Sequence, residues 1–132
     1  MNTGSGGANL ADILAGLARE EYCYLTTQGR RTGNPHEIEI WFTVRGRSIY
    51  FLSGGGEESD WVKNIRNQPA VHVKIGSQSF SGMARLDIQG EEEVFVREGL
   101  ATKYQGWRKG RKLSEWAREA LPVAVDLSAP GL

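Results

Sequence analysis

Apolar positions along the chain change period several times, and each change marks an element. Leu10, Ile13, Leu14 and Leu17 fall at i, i+3, i+4 and i+7, the stripe of an amphipathic helix that Asn9 caps and that stops near Glu21. "YCYLTT" follows, aromatic and β-branched, and reads as a strand. Farther on, Ile38, Ile40, Phe42 and Val44 alternate with Glu37, Glu39, Trp41 and Thr43. That period of two predicts one strand over "HEIEIWFTV", with a buried face and a polar face that also carries a tryptophan. "RGR" turns the chain into "SIYFLS", and "GGGEES" then breaks the regularity. Ser59 or Asp60 caps a helix "DWVKNIRNQ", with Trp61 and Ile65 four apart, and Pro69 ends it. "AVHVKIG" and "SFSGMARLDI" are strands joined by a Gly-Ser turn. "GEEEVFVREGLATKY" reads as a helix with acids in its first turn, where the helix dipole favours them. "QGWRKGRK" is a polar link, Ser114 caps a short helix through Ala120, and "LPVAVDLS" is the last strand.

The predicted order is helix, three strands, helix, two strands, two helices, strand. Most successive strands lie too close for parallel crossovers, so the sheet is mainly antiparallel and the class is α+β, mainly β. Six strands in a chain of 132 residues suit a small β-barrel with helices over its ends. Residues 1–8 read as a disordered leader, with neither the charged start nor the apolar run of a signal peptide. Residues 9–132 read as a single domain.

Charge narrows the function. Lys plus Arg number 16 and Asp plus Glu 16, a balance that argues against bulk electrostatic binding to nucleic acid. The apolar runs are far short of the ~20 residues of a membrane span, so stable membrane insertion is not expected. Cys23 is the one cysteine, which suits a reduced, cytoplasmic setting. It reads as a small buried hydrophobe. His36 and His72 share no metal-ligand spacing with it, and no metal site is expected. No Gly-x-Ser-x-Gly elbow is present.

Three stretches hold candidate chemistry. In "GRRTG", Gly29 and Gly33 allow a sharp turn, Arg30 and Arg31 add planar forks that match phosphate or carboxylate oxygens, and Thr32 adds a hydroxyl. This is an anion cradle or, equally, a solvated basic turn. In "SGGGEES", Ser53 to Ser59, a glycine-rich loop runs into a helix start, where a backbone can approach an anionic or planar ligand. A flexible loop is the simpler reading, and Glu57 and Glu58 would repel a phosphate if they pointed inward. Trp41, beside Glu39 and Thr43, is placed to cover a planar ring, to face a partner subunit, or simply to pack under a helix. Arg108, Lys109, Arg111 and Lys112 read as a solvated link within reach of an acidic ligand tail.

Together these pieces have a recognisable order. "YLTTQGRRTGNPHEIEIWFTV" followed by "IYFLSGGGEESDWVKNIRNQPAVHVKIG" resembles the F420-dependent nitroreductase and quinone reductase family, within the flavin-reductase-like and pyridoxamine-phosphate-oxidase-like split β-barrels. The matching motifs are Leu25 to Thr27, Gly29 to Pro35, Ser53 to Gly56, and Trp61, Asn64 and Ile65, with "NQPAVHV" after them. The resemblance runs over roughly residues 20 to 76, and "LPVAVDLS" looks like the last barrel strand of the group. The chain departs from the pattern at His36, where many relatives have arginine. It departs also at Ile38-Glu39, where they have Thr-Pro, and at Gly54, where some have lysine. Only Tyr104 and Trp107 lie in the region of the tyrosine-rich tail of nitro-drug reducers.

The resemblance implies a split β-barrel that binds coenzyme F420, with FMN as the alternative cofactor. It implies hydride transfer to a small electron-poor acceptor such as a quinone, an enone or a nitroaromatic. Arg30, Arg31, Thr32 and Gly33 would hold the cofactor phosphate. Pro35, His36, Ile38, Glu39 and Trp41 would run beside the deazaflavin ring. Ser53, Gly54, Gly55 and Gly56 would close over it, and Trp61 and Asn64 would contact it from their helix. Ser53 or Tyr104 would donate a hydrogen bond or proton to the acceptor. Proteins of this group often pair across the sheet, so a homodimer is expected. A non-catalytic module that holds a flavin or haem is the reading from a different class.

Overall fold

The computed structural model describes residues 9–130. The expected leader therefore lies outside the described residues. Seven strands form one antiparallel sheet: β1 (Cys23–Gln28), β2 (Pro35–Ile40), β3 (Thr43–Arg45), β4 (Ser48–Ser53), β5 (Ala70–Ile75), β6 (Gln78–Arg85) and β7 (Leu121–Pro130). Four helices accompany them: α1 (Leu10–Leu17), α2 (Asp60–Asn67), α3 (Glu91–Gln105) and α4 (Glu115–Glu119). The expected α+β class is what folds, with one strand more than the six predicted. The single strand read over "HEIEIWFTV" is two, β2 and β3, parted at Trp41 and Phe42. The alternating pattern runs straight through this break, because Ile40 of β2, Phe42 of the link and Val44 of β3 all pack on the same interior.

The spatial order is β2-β1-β5-β6-β7-β4-β3. The two edge strands are thus neighbours in sequence. A flat sheet of this width would part its edges by roughly 29 Å, whereas a two-residue link reaches only about 10 Å. The sheet must therefore curl until its edges meet, and no ladder joins them there. That unpaired seam is the split in the barrel.

Strand burial follows from this shape. β5 alternates exposed and buried residues, Val71, Val73 and Ile75 facing in. β4 is buried from Ile49 to Ser53 on both faces. Its Ile49 and Phe51 join the barrel interior with Leu25, Phe42, Phe80, Val123 and Val125. Its Tyr50 and Leu52 pack under α3 with Val96 and Leu100. α1 places Leu10 and Leu14 in the interior and is capped by Asn9, whose Oδ1 accepts from the Asp12 amide at 2.9 Å. It ends at Leu17, four residues before the expected stop.

Three polar ties hold the helices on the barrel. The Arg85 guanidinium bridges Glu92 of α3 (2.8 Å) and Asp126 of β7 (2.8 Å), while the Tyr50 hydroxyl donates to Glu92 (2.7 Å) and Ser48 to Asp126 (2.6 Å). Arg97 of α3 donates to the carbonyls of Ala117 (3.0 Å) and Ala120 (2.9 Å), which satisfies the open end of α4. The Tyr104 hydroxyl donates to the Glu21 carbonyl at 2.6 Å and accepts from the Phe42 amide at 3.1 Å, fixing the corner between β2 and β3.

Candidate functional site: a groove between the Gly29–Asn34 turn and the second helix

The turn between β1 and β2 is built, not slack. Gly29 N–H donates to the Asn34 carbonyl (2.8 Å), and Gly33 N–H to the Gly29 carbonyl (2.8 Å). Gly33 sits at φ +79°, a conformation a side chain would strain. The five-residue turn from Gly29 to Gly33 resembles one turn of helix, so the amides of Arg30, Arg31 and Thr32 are left open as at a helix start. The Arg30 amide is taken by Asn64 Oδ1 at 3.2 Å. No acceptor within the described residues meets the amides of Arg31 and Thr32. The Thr32 hydroxyl accepts from the Asn34 amide at 3.1 Å and shapes the turn.

The two arginines, alike in sequence, differ in space. Arg30 reaches α2: its Nη1 donates to Asn64 Oδ1 (2.8 Å) and its Nη2 pairs with Asp60 Oδ1 (3.2 Å). Asn64 is buried, and its Nδ2 donates to the buried Thr27 hydroxyl at 3.1 Å. Arg31 is exposed, with no carboxylate within 4 Å among the described residues. The groove between turn and helix holds about 620 Å³ and is lined by the turn, Pro35, His36, Asp60 and Asn64. The expected cradle residues and Asn64 are therefore brought together. Two open amides beside a free guanidinium form a donor set that fits a phosphate.

The loop after β4 is folded on itself. The Ser53 hydroxyl donates to the Gly56 carbonyl (3.0 Å) and lies 2.8 Å from the Ser59 hydroxyl. A Cβ on Gly55 would lie 2.5 Å from Ser59 Oγ, and Gly56 has φ +61°. These glycines serve the loop's own closure. Glu57 and Glu58 turn outward to Arg66 (2.9 Å) and Lys63 (3.3 Å), which removes the repulsion a phosphate would meet. Ser59 stands at the α2 N-cap, but its hydroxyl is directed to Ser53 and not to the helix.

At the other end of β2 an aromatic group gathers. Trp41, 43% exposed, stacks flat on Tyr104 at 4.3 Å and meets Trp116 edge-on at 5.6 Å. Glu39, Ile40, Trp41, Leu52 and Trp116 line a depression of about 270 Å³. Trp116 also borders a second depression, of about 370 Å³, with Gly54, Glu115 and Glu119. Trp41 thus rests against one aromatic ring of α3 and one of α4 and still presents surface to a depression.

Several expected roles change. Ser53 is buried and its hydroxyl engaged, so it offers no free donor to an acceptor. Tyr104 is likewise engaged by backbone groups, and burial pushes its hydroxyl up to about 12. Trp61 turns into the interior, edge-on to Phe51 at 6.2 Å, and Ile38 packs on the same core. Trp116, Leu52 and Asp60 belong to the site surroundings, yet no local motif singles them out. Among the described residues no group of His, Cys, Asp and Glu is placed to hold a metal ion. Cys23 is buried as expected, its thiol pushed up to about 12 by burial.

A curled antiparallel sheet of seven strands, open at one seam and flanked by helices, is a split-barrel fold, and solved structures share it. A provisional pyridoxamine 5'-phosphate oxidase from Listeria innocua is similar at TM-score 0.67 and 22% identity, over 93% of this chain and 97% of that one. An F420 reductase is similar at TM-score 0.65 and 21% identity, over 95% and 98%. A structure described as a domain-swapped dimer is similar at TM-score 0.62 and 18% identity, over 80% and 79%. At such identities the likeness is one of fold. The family profile described as F420H(2)-dependent quinone reductase matches residues 7–128, and the chain belongs to that family. It is an F420-dependent oxidoreductase.

Proposed function

We propose that this reductase binds coenzyme F420 along β2, its phosphate on the Gly29–Asn34 turn and its ring toward Trp41, and reduces a planar, electron-poor acceptor such as a quinone. The observation that carries the reading is the pair of open amides at Arg31 and Thr32 beside the unpaired Arg31 guanidinium. β2 rises roughly 17 Å from Pro35 to Ile40, a length that suits a tricyclic ring joined to a phosphate by a short polyol. When bound, the reduced cofactor supplies a hydride. The chain's own work is to bind and orient. Asn64 fixes the turn through Arg30, His36 and Pro35 border the path of the cofactor, and the Trp41–Trp116 depression offers aromatic surface to a flat acceptor. The engaged hydroxyls of Ser53 and Tyr104 leave the acceptor's proton to solvent.

Titration calorimetry with F420 and with FMN tests this directly. The expected result is F420 binding clearly tighter than FMN binding. Tight FMN binding without an F420 signal would sink the proposal, and ligand binding without turnover of a test quinone would favour the non-catalytic module.

We further infer one domain over residues 9–132, a cytoplasmic protein and a homodimer. The outer sheet face supports the last. Thr26, Gln28, His72 and Met83 line a trough of about 520 Å³ there, with Met83 51% exposed and Gly33 and Pro35 of the cofactor turn at its border. A monomeric mass by light scattering would remove that inference.

A further inference from the structure

We propose that Asp60 sets the charge of the phosphate that the groove accepts. Paired with Arg30, it leaves a single uncompensated cation, so the groove favours a phosphodiester, with one negative charge, over a terminal phosphomonoester, with about two. The proposal rests on the reading that the cofactor phosphate lies on the Gly29–Asn34 turn, and adds which kind of phosphate the turn selects.

Two adjacent arginines suggest two cations for one anion, but the fold turns one of them away. The Arg30 Nη2 pairs with Asp60 Oδ1 at 3.2 Å, and its Nη1 donates to Asn64 Oδ1 at 2.8 Å and to the Asp60 carbonyl at 3.4 Å. Swinging Arg30 toward a ligand would break its bond to the buried Asn64, so its charge stays beside Asp60. With histidine counted as neutral, the charged side chains that line the groove are Arg30, Arg31 and Asp60, and they leave one positive charge. Nearby charges cancel in pairs, Lys63 with Glu58 at 3.3 Å and Arg66 with Glu57 at 2.9 Å.

The open donors match that charge. They are the amides of Arg31 and Thr32 and the Arg31 guanidinium. A phosphodiester presents two free oxygens that share one charge, which such a set can satisfy. A phosphomonoester adds a third oxygen and a second charge. Among the lining residues it finds no further unpaired cation, and it meets the Asp60 carboxylate instead. An acid in the first turn of α2 also suits the helix dipole, which is the plainer account of Asp60. The two accounts differ in what they predict. A helix-start acid affects stability alone, whereas a charge filter changes the ranking of two ligands that differ only in phosphate charge.

The test is calorimetry of the full chain with F420, with FMN, and with the methyl ester of FMN, a phosphodiester that keeps the same ring and polyol. Above neutral pH the FMN phosphate is a dianion and the ester a monoanion. The parent is expected to bind the ester at least as tightly as FMN. Asp60→Asn keeps an oxygen for Arg30 and removes the charge, and it should tighten FMN relative to the ester by about 3- to 10-fold at low salt, less at high salt. Asp60→Ser should shift the ratio the same way. Glu57→Gln removes a carboxylate that lines no part of the groove and should leave the ratio as in the parent. Clear preference of the parent for FMN, an unchanged ratio in both Asp60 variants, or an equal shift in Glu57→Gln would each overturn the proposal. A lower Tm with an unchanged ratio would leave Asp60 as a helix-start acid only. Failure of either flavin probe to bind the parent would place selection in the ring or the tail and also overturn it. Failure of the F420 reading shows separately, as absence of F420 binding in a parent whose two flavin probes still rank by charge.

Discussion

Replacing Arg31 and Arg30 one at a time separates ligand binding from folding, because the structure gives the two neighbours different partners. Arg31→Ala removes an exposed side chain with no carboxylate near it, so stability should change by less than about 0.5 kcal/mol. If Arg31 holds the cofactor phosphate, its loss removes a charge-assisted bond, about 1.5–3 kcal/mol, which is roughly a 10- to 150-fold weaker Kd. Arg30→Ala removes the 2.8 Å bond to Asn64, a side chain 3% exposed, and the 3.2 Å bond to Asp60. The Asp60 side chain is 88% exposed, so that pair adds little. The bond to Asn64 dominates, and the expected cost is about 1.5 kcal/mol. For a domain of this size that is a fall of roughly 5 °C in Tm. Cofactor affinity should fall too, because the freed turn must be ordered again on binding. Differential scanning fluorimetry without cofactor, and calorimetry with F420, read both quantities. If the two variants melted alike, the division of roles would be wrong. An unchanged Kd for Arg31→Ala would remove the phosphate site.

Other substitutions probe the surroundings. Gly55→Ala forces a Cβ within 2.5 Å of Ser59 Oγ and should lower Tm without cofactor, whereas Gly54→Ala meets only Trp116 at 3.6 Å and should fold normally; equal melting would refute the internal-closure account. Tyr104→Phe removes the hydroxyl that ties Glu21 to Phe42 and should cost about 1–2 kcal/mol of stability. A general acid contributes about 10²–10⁴ in rate, so a fall of that size in the folded Tyr104→Phe enzyme would restore Tyr104 as the proton donor. Arg85, and then the Tyr50 hydroxyl, hold the Glu92 carboxyl at about 2 against its ordinary 4.5. The stability this adds is fully present above pH 4.5 and fades as pH falls toward 2. Glu92 is 23% exposed, so solvent screening leaves about 1–2 kcal/mol, and Glu92→Gln should flatten the acid limb of a melting-against-pH curve by that amount.

Local pattern was enough for the helices, for most strands and for the loops that matter. Asn9 and Ser114 cap the helices they precede, and Val71, Val73 and Ile75 face in where alternation put them. These features depend on neighbours within a few residues, and sequence records those neighbours. The order of the Gly29–Pro35 turn, the Ser53–Gly56 loop and Asn64 was legible too, and through resemblance so was the family.

Tertiary structure decided what depends on residues far apart in the chain. Trp41 and Phe42 continue the alternation of β2 without a break, yet the chain leaves one sheet edge there for the other. Only closure of the barrel makes that corner necessary, and the Tyr104 hydroxyl, some 60 positions away, pins it. Arg30 and Arg31 are the same residue to any local reading, and it is Asn64 and Asp60, across the groove, that bind one and leave the other free. Ser53 and Tyr104 have the chemistry of proton donors, but partners brought by the fold engage their hydroxyls. Side-chain type is written in the chain. Which hydrogen-bond partners remain unsatisfied is settled only when distant segments meet, and those open donors are where a ligand can bind.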